Sequence, residues 1–188
     1  DWTTSGNNSI LSSSGLIQIS AAAASSSYYG VYKNSATGGL AYVGANSTGT
    51  SASDIWVMTD SLGLNTSTYG EIFNSTGNLV ILPFTPSTAI NLGTAQAPTS
   101  LVLTPGYFYN ATAASQNFQS SLASITIGNY RDTGLLTFTT ATINPQSNLI
   151  VQSGTGQINV NANITMATGK SLSFISNYLG AAANSSNT

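Results

Sequence analysis

The chain has no cysteine and no histidine, and its only cationic side chains are Lys33, Arg131 and Lys170. Without thiols there is neither a disulfide framework nor a thiolate metal site, so cysteine pairing says nothing about the redox compartment. Scattered cations this few cannot form the basic patch that nucleic acid or an anionic membrane surface requires, and neither partner is expected. The acids are also few: Asp1, Asp54, Asp60, Glu71 and Asp132. No two are adjacent, none has a histidine to work with, and too few exist for a ladder of calcium sites. Asp54 and Asp60 flank the apolar stretch Ile55 to Met58 and could meet across a turn, but solvated charges at strand ends are the simpler reading. An enzyme is not expected, and no cofactor is implied.

Long apolar runs are missing too. Stretches such as Leu79 to Phe84 fall far short of the roughly 20 residues of a membrane-spanning helix, so membrane insertion is not expected. The chain opens at Asp1 with neither a basic segment nor an apolar leader, which reads as a mature chain after removal of a signal peptide.

What remains is 188 residues, 41% of them hydrophobic, enough for one β-rich domain over 1–188 with a real core. Only 4% are charged, and Ser, Thr, Asn and Gly take the vacated places, giving a hydroxyl- and amide-rich surface. A formal charge of -2 hardly holds molecules apart, so self-association is expected. The same composition suggests a secreted, extracellular or cell-surface protein.

The recurring pattern is a short strand in which two apolar residues flank one polar or small residue, bounded by Gly, Asn, Ser or Thr. It appears at Ile17/Ile19, Leu62/Leu64, Ile90/Leu92, Leu101/Leu103, Ile125/Ile127, Leu136/Phe138, Ile158/Val160, Ile164/Met166 and Leu172/Phe174. Period two puts each pair on one face, so these residues are expected to form the core and the residues between them to face out. No stretch carries a helical apolar stripe; Ser20 to Ser27 has alanines but no amphipathic face, and little helix is expected. Strands this short must stack, and their regular return points to the coils of a solenoid. The linkers hold few two-residue hairpin turns, which favours parallel over antiparallel neighbours. "GLIQISA" from Gly15 echoes "GQINVNA" from Gly156, as repeated coils or as chance likeness among simple strands.

The stretch 21–50 differs, being rich in Tyr, Ser and Gly, and reads as an excursion from the stack. Tyr28, Tyr29, Tyr32 and Tyr42 are its candidates for surface recognition, with strand packing as the alternative. Asn7, Asn46, Asn65, Asn74, Asn110, Asn163 and Asn184 each head an N-x-Ser/Thr sequon and are candidate glycosylation sites. With Ser and Thr so frequent such matches arise by chance; the turn positions Asn46 and Asn74 are better placed than Asn163, which directly precedes a strand. Thr126, Thr137 and Thr139 raise the prospect of a flat hydroxyl face for a polysaccharide, although threonine also suits any exposed strand.

From Gly77 to Thr104 the chain reads "GNLVILPFTPSTAINLGTAQAPTSLVLT", followed by "SITIG" at Ser124 to Gly128 and "DTGLLTF" at Asp132 to Phe138. These segments, with "GQINVNANITMATGKSLSFIS" from Gly156 to Ser176, resemble the coils of filamentous-haemagglutinin-type and autotransporter-like bacterial surface adhesins. The resemblance implies a right-handed parallel β-helix and an exported, rod-like, non-catalytic protein that binds a host or matrix surface through its loops or long face. The near-absence of charge departs from that family and allows a subunit of a polymer instead. The alternative fold is a β-sandwich, pilin-like subunit that polymerises by donating the strand within Asp1 to Ser20 to a neighbour.

Overall fold

The computed structural model describes residues 9–22, 29–32, 40–66, 71–94, 100–109, 116–139 and 141–177. The elements are short strands: β1 (Ile10–Leu11), β2 (Leu16–Ala21), β3 (Val31–Tyr32), β4 (Ala41–Gly44), β5 (Asp54–Thr59), β6 (Leu62–Gly63), β7 (Glu71–Asn74), β8 (Asn78–Leu82), β9 (Ala89–Leu92) and β10 (Ser100–Leu103). A single-turn helix, α1 (Pro105–Phe108), precedes β11 (Ser124–Ile127), β12 (Leu136–Phe138), β13 (Asn148–Ser153), β14 (Ile158–Val160) and β15 (Leu172–Ser176).

These strands form four sheets, ordered β1-β4-β7, β15-β13-β11-β8-β5-β2, β3-β6 and β10-β9-β12-β14. Every ladder among the described strands is parallel. The protein is therefore mostly β with parallel sheets, as its hairpin-poor linkers suggested. The chain visits the sheets in a recurring order: β1, β2 and β3 fall in three different sheets, and β4, β5 and β6 return to those three in the same sequence.

The alternating pattern becomes columns of side chains. In the six-stranded sheet, register aligns Ile17, Ile55, Leu79, Ile125, Leu149 and Leu172, and beside them Ile19, Val57, Ile81, Ile127, Val151 and Phe174. In the four-stranded sheet, Leu101, Ile90, Leu136 and Ile158 align, as do Leu103, Leu92, Phe138 and Val160. The members from β5 to β13 are buried, each contributing about 1.5–3 kcal/mol of transfer free energy, and like sizes stack on like because parallel register puts equivalent positions one above another.

Between β10 and β11 an aromatic cluster fills the core. Rings of Phe73, Tyr107 and Phe108 stand edge-on to Phe118 with centroids 5.8, 5.8 and 5.2 Å away, the geometry that the ring quadrupole favours. The Tyr107 hydroxyl accepts from the Leu64 N–H at 3.1 Å, which satisfies its polar tip inside an apolar site. Burial raises the Tyr107 phenol above its ordinary value. At the corner ahead of β12 and β14 the backbones close in: a Cβ on Gly134 would lie 2.2 Å from the Thr88 carbonyl oxygen, and one on Gly156 2.1 Å from that of Gly134. Only glycine fits there.

Within 21–50, β4 is buried throughout and pairs with both β1 and β7, while 23–28 and 33–39 lie outside the described residues. Two expectations are corrected. "GLIQISA" and "GQINVNA" fall in different sheets, as β2 and β14, so the echo reflects like strand chemistry and not equivalent positions. Ile158, Val160, Ile164, Met166, Leu172 and Phe174 lie on the core side, yet all are half-buried or exposed, because β14 and β15 are the last strands of their ladders among the described residues.

Candidate functional site

The acids serve the strand ends. One Asp54 carboxylate oxygen accepts from the Asn78 backbone N–H at 2.8 Å and from its side-chain amide at 2.9 Å. Asn78 in turn accepts from the Ser124 hydroxyl at 2.8 Å, and Asn148 accepts from the Ser171 N–H at 3.0 Å. The result is a polar ladder along the starts of neighbouring strands. Asp60 accepts from the Thr85 N–H at 2.7 Å and from the hydroxyls of Thr85 and Thr88 at 2.7 and 2.9 Å. Asp54 and Asp60 thus lie at opposite ends of β5, Asp54 bound to the start of β8 and Asp60 to the segment that follows β8, and do not meet across a turn.

Asp132 is different, at 2% exposure. Its Oδ2 accepts from the Asn129 N–H at 2.8 Å, whereas Oδ1 is buried with no hydrogen-bond partner. Desolvation raises its pKa to about 6, and the bond from Asn129 only partly offsets that. Its own carbonyl oxygen accepts from Gly154 and Gly156, tying the turn to the next one along the stack. The neighbouring Arg131 guanidinium lies over the Tyr130 ring at 5.3 Å.

Of the sequence-derived recognition residues, Tyr29 and Tyr42 differ in exposure. Tyr29 is 53% exposed, Tyr42 is 8% exposed and packs within β4, Tyr32 lies on β3, and Tyr28 lies outside the described residues. Tyr42 is buried on β4, a strand paired on both sides. Among the sequons, Asn7, Asn110 and Asn184 lie outside the described residues, and Asn46 and Asn163 are exposed. Asn65 is half-buried, with its backbone N–H donating to Glu71 and its carbonyl oxygen accepting from Asn117. Asn74 uses its side-chain nitrogen on the carbonyl oxygens of Ala45 and Asn46, both at 3.3 Å, and its side-chain oxygen on Ser121. Asn74 is thus engaged at both side-chain polar atoms, whereas Asn163 is exposed.

No threonine face is assembled. Thr126 lies in register between Val80 and Ile150, and Thr137 is on another sheet between Asn91 and Asn159. Thr139 is buried, its hydroxyl accepting from the Thr94 N–H at 2.9 Å. The outer side of the six-stranded sheet is instead rich in apolar side chains, with Trp56, Met58, Val80, Leu82 and Ile150 between its polar residues.

Several apolar side chains on the first and last described strands are only partly covered. Ile10, Ile19 and Val31 at one end, and Ile158, Ala162, Ile164, Met166 and Leu172 at the other, pack against the core but are only partly covered. Phe174 touches the ring of the fully buried Phe138, centroids 5.8 Å apart, and is still 44% exposed; Val160 is 50% exposed. Ile19, Ile158, Val160, Ile164, Met166, Leu172 and Phe174 carry the same alternating signal in the sequence as the buried pairs, and nothing in that signal separates an inner strand from an outermost one. Among the described residues no helix is long and apolar enough to cross a membrane, and no three metal-binding side chains come together. No protein-family model, no curated protein and no solved structure matches this chain.

Proposed function

We propose that this chain is a right-handed parallel β-helix serving as an exported structural or adhesive protein, an element of an extracellular rod or filament without catalytic activity. The observation that carries the proposal is the pair of in-register columns running through six parallel strands, with Ile19, Leu172 and Phe174 only partly covered where the columns end. Stacked coils have no natural limit to their length, and an uncovered last coil is a place for growth. The hand follows from the strong preference of parallel crossovers for right-handed connection. The sparse charge, the use of Asp54 and Asp60 to bind adjacent coils and the hydroxyl- and amide-rich surface suit a molecule that holds shape and touches neighbours.

The strand-donating pilin alternative expects an N-terminal segment without a partner in its own chain. Here β1 pairs with β4, and β2 pairs with β5 over its full length. Polysaccharide binding through a threonine face loses its basis once the threonines separate. Binding to a host or matrix surface would fall to exposed aromatics such as Tyr29 and Tyr130.

Electron microscopy of the purified protein with helical reconstruction tests the reading. Rods with a layer spacing near 4.8 Å along their axis are the expected result. Antiparallel density, or particles without that spacing at any concentration, would overturn it.

A further inference from the structure

We infer that the partner at the exposed end of the stack is a second copy of this chain, adding its β2 in parallel register beneath β15, with Ile17 under Leu172, Gln18 under Ser173 and Ile19 under Phe174. The inference rests on the β-helical reading above and specifies how one rod element meets the next.

Direction allows it. β2 and β15 are the outermost strands of one sheet and run parallel to each other, so translating a copy along the stack brings β2 against β15 in the orientation that every internal ladder uses. Side-chain position allows it as well. Within the sheet Ile17 and Ile19 occupy the same two columns as Leu172 and Phe174, so this register continues both columns across the junction. Open surface lies in one of the two columns: Phe174 is 44% exposed although its inner edge meets Phe138, and Ile19 is partly covered, whereas Ile17 is already buried and Leu172 is partly covered. Outside this sheet, Ile10, in register with Val43, and Ile164, in an isolated bridge to Ile143, also present partly covered side chains.

Among the described residues, neither of the two strands carries a device that blunts the contact. Terminal strands of soluble sheets are commonly blunted by lysine, proline or an inward charge. Neither "LIQISA" of β2 nor "LSFIS" of β15 contains any of these, and the net charge of -2 adds little repulsion between copies. Head-to-tail contact by translation along the stack does not close on itself, so its product is a linear polymer and not a dimer.

Because the natural chain has no cysteine, paired substitutions read the junction directly. Gln18 and Ser173 are both exposed and stand at opposite ends of the six-stranded sheet, about 24 Å apart at five strand spacings, far beyond the reach of a disulfide within one chain. Mixing the single variants Gln18→Cys and Ser173→Cys under mild oxidation should give a covalent heterodimer at least tenfold more abundant than the homodimer from either alone, and the double variant should give a ladder of oligomers. The variant Thr126→Cys/Ile150→Cys, at positions paired between β11 and β13, should close a bond within one chain and tests the parallel register itself. If that internal bond forms while the mixture stays monomeric, or gives homodimers as readily, the junction is overturned and the β-helix stands, its end covered by further coils of a longer chain or by another partner. If the internal bond also fails to form, both readings fall.

Discussion

At the residue scale, burial decides what each polar or charged side chain costs. Ile125 is 1% exposed within the column, whereas Thr126 beside it faces outward. Ile125→Asp places an unpaired charge in the core and should unfold the protein, a loss above about 4 kcal/mol, whereas Thr126→Asp should cost about 1 kcal/mol or less. Urea unfolding of the two variants checks this, and equal tolerance would contradict the strand register. Asp132 yields a pH dependence of unusual sign. Its folded pKa of about 6 lies above the ordinary 3.8, so between those values the folded state binds the proton more tightly than the unfolded state. The stability linked to this group is greatest below pH 3.8 and is lost as pH rises through 6, with a slope no steeper than about 1.4 kcal/mol per pH unit. Relative to Asp132→Asn, the natural protein should therefore gain stability on acidification from pH 7 to 4. Thermal melts of the pair across that range measure the difference, and parallel curves would show that Asp132 titrates as it does in the unfolded chain.

At the scale of elements, the strands are held as much by their corners as by their ladders. The Asn117 side-chain nitrogen donates to the carbonyl oxygens of Asn65 at 3.0 Å and Glu71 at 2.7 Å, pinning the segment before β7 to the one before β11. Asn117→Leu removes both donors from a fully buried site and should cost about 2–4 kcal/mol by calorimetry. The stacked corner of Thr88, Gly134 and Gly156 has no room for a methyl group. Gly156→Ala must push β14 away from β12 and should cost about 1–3 kcal/mol, with faster hydrogen exchange in β14 than in β8 as the local readout.

At the scale of the whole molecule, the two ends govern behaviour. Phe174 is half open in the single chain, so Phe174→Lys should fold with little loss of stability while an inward charge blocks the addition of a further strand. Sedimentation should find this variant monomeric at concentrations where the natural chain polymerises. A variant that assembles equally well would place growth elsewhere, for which the apolar outer side around Trp56 and Val80 is the other large uncharged surface.

Alternation of apolar and polar residues was legible in the sequence because a strand's two faces depend only on local geometry. Leu101/Leu103, Ile125/Ile127 and Leu136/Phe138 point inward as their spacing requires. Scarce hairpin turns likewise foretold parallel neighbours. The assignment of strands to sheets, and the identity of the outermost ones, came only from the tertiary structure. Ile164/Met166 and Ile125/Ile127 look alike in sequence, yet the first pair is half open and the second closed, because cover is supplied by strands distant along the chain. The same distance effect buried Tyr42, engaged Asn74 and Thr139, and stranded one oxygen of Asp132 without a partner. A residue's face is a property of its own strand, whereas its exposure is a property of which strands come to lie on either side.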